Sequence, residues 1–279
     1  MSYKTILVHV DQTERAAQVV ELAAAVAMQQ EAHLVGLAST GVTQFIYQCS
    51  AVPPGAPMLP EDFTFLTENA IAALAKFDAQ ARQLGVLSFE ARRIDEAIED
   101  GLLLQSRYCD LLVMSQPAPA QSETGLFSSQ AQYVALHSAR PVLMVPYAGQ
   151  FKQVGRRALL AWDGSQEACR AITAALPLLR HGGTATLAIF NPQAHYNVHG
   201  EQPGADMALY LARHGIKVEV LQQDTPLDIG DALLSLAADI NADLLVMGCY
   251  GHTRLRELVL GGATRTVLRT MTLPVLMAH

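Results

Sequence analysis

Four glycines in the stretch GCYGHTRLRELVLGGATRTVL fall in two pairs, Gly248 with Gly251 and Gly261 with Gly262. Glycine lets the backbone take positive φ and lets another group approach the main chain closely. The first pair follows the apolar run DLLVM, which reads as a buried strand; the second precedes a helical pattern through Thr264 to Thr270. A turn leaving a strand, followed by a helix N-terminus with its N–H groups and positive dipole end, is chemistry suited to an anion. Thr264 adds a hydroxyl, and His252 adds a charge when protonated. The spacing is neither G-x-x-x-x-G-K-[ST] nor G-x-G-x-x-G, and the segment holds no lysine. Tight turns and close packing account for such glycines equally well, so spacing alone leaves both readings open.

The elements around the glycines occur twice. TILVHVDQTERAA near the start matches ALLAWDGSQEACRA, aligning Asp11 with Asp163 and Thr13 with Ser165. CDLLVMS matches ADLLVMG at an offset of 133 residues, and RPVLMVP matches LPVLMAH at the same offset. Short apolar runs (ILVHV, HLVGLA, VLSFEARR, DLLVMS, PVLMV) alternate with helical patterns over Glu14–Gln30, Glu68–Leu84, Ile94–Tyr108 and on to His137. The second half repeats the order: ALLAW, TATLAIF, KVEVL, DLLVMG and PVLMA, separated by helices near Gln166–Arg180, Asp206–His214 and Ile229–Ile240, with the last over Thr264–Thr270. Alternation predicts an α/β protein of two tandem doubly wound, mostly parallel five-stranded sheets, at 1–147 and 156–279. YAGQFKQVG reads as the linker, and Thr13 and Ser165 as helix caps. The first half is longer, and the proline-rich stretch Val42–Asp62 reads as an inserted loop.

Composition narrows the function. Hydrophobic residues are 51% and charged residues 16% of 279, with 19 basic against 26 acidic side chains. Without a dense basic cluster, nucleic acid is not expected as the main partner. The apolar runs are too short to span a membrane, no secretory leader is visible in MSYKTILVHVD, and the four cysteines lack C-x-x-C spacing. A cytoplasmic protein is the expectation. No G-x-S-x-G elbow or Cys–His pairing is present, and no second carboxylate joins Asp163 as a metal ligand, so efficient hydrolysis is not expected. His195 and His199 have H-x3-H spacing but sit in a loop-like stretch without a third ligand.

Together the glycine segment, its flanking strands and the repeat resemble the universal stress protein family, whose ATP-binding signature is G-x2-G-x9-G-[ST]. Gly248, Gly251 and Gly261 fall at the three glycine positions; Gly262 stands where the family has a hydroxyl. The resemblance implies an adenine nucleotide α-hydrolase-like fold and a stress-response protein binding ATP in its second half, with ADP, AMP and an accompanying Mg²⁺ left open. It implies that Asp163 holds ribose or adenine, with Ala161 and Trp162 beside it and Ile189 on the base. Met247, Gly248, Gly251, Gly261, Gly262, Ala263 and Thr264 would surround the phosphates. The expected mode of action is a sensor or switch working through ordering of Tyr250–Leu260 and Val42–Asp62; a slow nucleotide-processing enzyme and an interaction scaffold remain the alternatives. In the first half the motif positions carry Ser115, Ala118 and Ser128, so phosphate binding is not expected there. That half would instead pack on the second, replacing a dimer of single-domain relatives; a homodimer is left open. A Gly248→Val or Gly261→Val variant is expected to lose binding while staying folded.

Overall fold

A computed structural model describes residues 2–43, 60–117, 126–195, 202–249 and 262–279. In chain order the first repeat contributes β1 (Thr5–His9), α1 (Ala16–Gln30), β2 (His33–Ser39), α2 (Pro60–Leu84), β3 (Phe89–Ile94), α3 (Ile98–Ser106), β4 (Leu111–Ser115), α4 (Leu126–His137) and β5 (Val142–Val145). The second contributes β6 (Arg157–Ala161), α5 (Gln166–Leu179), β7 (Thr184–Phe190), α6 (Ala205–Arg213), β8 (Lys217–Gln223), α7 (Ile229–Asp239), β9 (Leu244–Gly248), α8 (Ala263–Thr270) and β10 (Val275–Ala278). This is the mostly parallel α/β order expected from the alternation.

Two compact units form, Tyr3–Ser115 and Gln116–His279, setting aside the two N-terminal residues. The first orders its strands β3-β2-β1-β4, all parallel. The second orders them β5-β10-β9-β6-β7-β8. The cut falls inside the first repeat because α4 and β5 pack with the second: β5 runs antiparallel to β10, with Leu143 opposite Leu276. These residues are related by the same 133-residue offset, so a pseudo-two-fold passes between them. The edge of β10 is therefore filled within the chain.

Strands buried on both faces need apolar runs, and β4, β5 and β10 supply them: Leu111, Val113, Leu143, Met144, Val275 and Leu276 are all essentially inaccessible. The acidic residue opening each DLLVM run has a different task. Asp243 carboxylate oxygens accept the N–H groups of Gly155 (3.0 Å), Arg156 (2.9 Å) and Arg157 (3.1 Å), gathering the start of β6. Asp110 does the same for Lys4 (2.7 Å) and Thr5 (3.0 Å) at β1. Asp243→Ala removes a charged acceptor from three backbone donors and is expected to cost about 3 kcal/mol, read as a fall in the urea midpoint.

Two local expectations change and a third holds. The helix α2 starts at Pro60, inside the stretch read as a loop, because proline at a first helical position lacks only an N–H that would have no intrahelical acceptor. Residues 44–59 of that stretch lie outside the described residues. Thr13 does not cap α1: its hydroxyl donates to Asp11 Oδ1 (2.6 Å), and the helix starts at Ala16 after Arg15, without a side-chain cap. Ser165 does cap α5, its Oγ accepting from Ala168 N–H (3.1 Å).

Candidate functional site

Parallel strands β9, β6 and β7 lie side by side, and their carboxyl ends carry Ala161, Trp162, Asp163, Ile189, Met247 and Gly248, half of the residues singled out in the sequence. Leu160 pairs with Val246 and Ala161 with Ala188, so Ala161 and Met247 leave the sheet next to each other. The chain runs from β6 to β7 on one side, while β9 enters from the other, so strand order reverses here. Crevices at such a reversal are where open α/β sheets hold ligands.

Beyond Ala161 the backbone continues for one more bond, Trp162 N–H donating to Ala188 O (2.9 Å). Asp163 then turns the chain: its Oδ1 accepts the N–H of Ser165 (2.9 Å), and Gly164 between them has φ 77°. The Asp163 side chain is exposed, and this turn leads directly into the capped first turn of α5. Asp11 builds the same turn in the first repeat, accepting from Thr13 N–H (2.9 Å). There His9 ends β1; burial lowers its pKa, opposed by Asp11 and Glu99. Ile189 is fully buried in β7 and lies against Gly204 at the start of α6, where an added methyl would sit 2.7 Å from Ile189 Cδ1. Met247 is also buried, so its main chain rather than its side chain is what the strand end offers.

Gly248 has a structural reason to be glycine. A β-carbon there would lie 2.6 Å from Ala168 N and 2.7 Å from the Glu167 carbonyl carbon, inside the first turn of α5. Main-chain atoms cannot rotate away. The expectation that Gly248→Val stays folded is therefore corrected: this glycine admits the helix, whatever else approaches it. Residues Gly251, His252 and Gly261 lie outside the described residues, as do Ala118 and His199.

Gly262 stands as N-cap of α8 with φ −50° and ψ 160°, a conformation open to any residue. Ala263 and Thr264 form the first turn, and Thr264 is buried at 3% exposure. The N-terminus of α7 crosses this turn closely. A β-carbon on Gly230 would meet Thr266 Cβ at 2.7 Å and Ala263 O at 2.8 Å, while Gly230 N–H donates to Asp228 Oδ1 (2.8 Å). Sequence reasoning missed Gly230 because a lone glycine in a helical pattern carries no mark of the helix that crosses it. His195 ends a short 3-10 turn, Pro192–His195, and among the described residues no group of three His, Cys, Asp or Glu side chains is placed to hold a metal ion. No helix among them is long and apolar enough to cross a membrane.

The universal stress protein family profile matches residues 2–146 and again 155–279. The chain belongs to the universal stress protein family. A universal stress protein of Synechocystis sp. is 33% identical over 221 residues, covering 75% of this chain and 71% of that protein. The crystal structure of a universal stress protein from Archaeoglobus fulgidus aligns over 98% of this chain and 95% of its own, with a TM-score of 0.75 and 19% identity. A functionally unknown protein from Pseudomonas aeruginosa aligns over 99% and 92%, with a TM-score of 0.60 and 15% identity. The universal stress protein architecture, the adenine nucleotide α-hydrolase-like fold, thus occurs twice in tandem. Against the family's glycine signature, the first repeat ends β4 on Ser115 and follows it with Gln116 and Pro117, while Ser128 lies within α4.

Proposed function

We propose that the second repeat binds one adenine nucleotide, ATP foremost, and that occupancy serves as a switch in a stress response. The observation that carries this reading is the convergence of Asp163 and Gly248 at the strand-order reversal between β6 and β9. One Asp163 oxygen is engaged by Ser165 N–H, so Oδ2 is the atom offered to a ribose hydroxyl, with Ala161 and Trp162 flanking the base and Ile189, whose side chain is buried, offering only its main chain. Phosphates fall to the first turn of α8, at Gly262, Ala263 and Thr264, with Met247 and Gly248 main chain opposite. On sequence alone, Gly251, His252 and Gly261 join them. Mg²⁺ would accompany the nucleotide's own oxygens. No base or second carboxylate is assigned, so turnover is slow.

A second reading, an interaction scaffold without nucleotide, draws support from Gly248, whose identity internal packing already explains. Titration of ATP, ADP and AMP into protein stripped of copurified nucleotide separates the two. The switch reading expects one site per chain with ATP tightest; no binding at millimolar nucleotide favours the scaffold. Multiple-turnover phosphate release at ordinary enzyme rates would instead establish the catalytic alternative.

Gly262→Ser tests the phosphate end. The backbone there accepts a side chain, serine is a good N-cap, and its hydroxyl restores the family's motif. ATP affinity is expected to rise several-fold, with stability changed by only about 0.3 kcal/mol.

A further inference from the structure

Helix α8 is short and poorly supported by its own ends. It spans eight residues, Ala263–Thr270, with no side-chain cap at Gly262 and with Met271 leaving in an extended conformation (φ −59°, ψ 138°) rather than a left-handed cap. A helix this short is not stable by propensity alone, so its position must come from what packs against it. At one end that is Gly230. At the other it is a residue of the first repeat.

Gln116 directly follows β4 and is 3% exposed. Its Nε2 donates to the carbonyls of Leu268 (2.8 Å) and Arg269 (3.2 Å), two of the last carbonyls of α8. Its Oε1 accepts Tyr147 N–H (3.1 Å), and its own N–H donates to Val145 O (2.7 Å). The amide is thus fixed from the first repeat's last strand and aimed at the second repeat's helix.

The 133-residue offset maps Gln116 onto Cys249 and Leu268 onto Ala135. The reciprocal contact exists: the Cys249 thiol donates to Ala135 O (3.2 Å) in α4. A thiol is a weak donor, while an amide nitrogen carries two strong ones. The stronger anchor therefore holds the helix that keeps its glycine-led N-terminus, and the weaker one holds α4, whose repeat has lost the glycines.

We infer that Gln116 is a positioning residue, through which the first repeat sets where the first turn of α8 stands and so tunes the affinity of the second repeat for the phosphate chain of its nucleotide. The inference rests on the nucleotide reading above. Gln116→Met keeps the side chain's length and removes both donors. In the stripped, full-length variant, amide exchange over α8 is expected to quicken, ATP affinity to fall about tenfold, and adenosine affinity to stay within about twofold. Adenosine presents no phosphate, so a merely destabilised fold would weaken both ligands alike. Should Gln116→Met fail to fold, Gln116→Glu keeps the acceptor for Tyr147 and loses the donors when ionised. Unchanged α8 exchange in a folded variant overturns the inference, as does equal weakening of ATP and adenosine. A wild-type chain that binds neither ligand overturns the nucleotide reading itself, and the exchange comparison, which needs no ligand, tells that failure from a failure of the anchor.

Discussion

Gly248→Val is expected to lower stability by about 3 kcal/mol, with the urea midpoint falling accordingly and the melting temperature dropping by roughly 6–12 °C. The strand end at Gly248 abuts the first turn of α5, where the atoms nearest an added β-carbon are Ala168 N and the carbonyl carbon of Glu167. Relief requires moving either β9, hydrogen-bonded in the middle of the sheet, or a helix already fixed by its Ser165 cap. Ser115 holds the matching place at the end of β4 and already carries a β-carbon. Ser115→Val introduces no new β-carbon and is therefore expected to lower the urea midpoint less than Gly248→Val does. Equal midpoints for the two variants would show that β9 does not approach α5 as described. The contrast matters for function, since any loss of ligand in a Gly248 variant would be confounded with loss of fold.

Asp163→Ala offers a cleaner probe and the largest effect on binding. If Asp163 holds the ribose as proposed, removing the carboxylate deletes that charge-assisted contact, and ATP affinity is expected to fall about thirtyfold, in line with a charged hydrogen bond of about 2 kcal/mol. The substitution also removes the acceptor for Ser165 N–H, which by itself disturbs the turn. Asp11→Ala supplies the matched control, because Asp11 makes the same bond to Thr13 N–H in the repeat that lacks the glycines. Calorimetric titration of both variants should show Asp11→Ala binding ATP like the parent. Equal losses would mean that the turn, not a ribose contact, is what the aspartate provides.

Much of the architecture was legible because the signals were periodic and repeated. The runs DLLVM and PVLM are too short and too apolar to be surface helices, and each occurs twice with the same neighbours. Ser165 was legible for a local reason: a serine directly before a helical pattern caps it with its own oxygen. Where the sequence misled, the deciding contact was either a competing local bond or a distant one. Thr13 resembles Ser165 in type and place, yet Asp11 takes its hydroxyl and α1 starts later. Gly248 matches a glycine of the family's signature, yet the atoms that require it are in α5, some eighty residues earlier in the chain. Gln116 was invisible, because nothing beside it announces that its partners are Leu268 and Arg269. Its only sequence trace is its alignment with Cys249, which becomes meaningful once the pairing of β5 with β10 reveals the internal two-fold.

The most direct measurement of the central claim is amide exchange of the stripped chain with and without saturating ATP. Protection should concentrate at the end of β6 through Ser165 and in the first turn of α8, and leave the turn from Asp11 to Thr13 unchanged. Protection confined to the first repeat, or none anywhere at saturating ATP, would contradict the account.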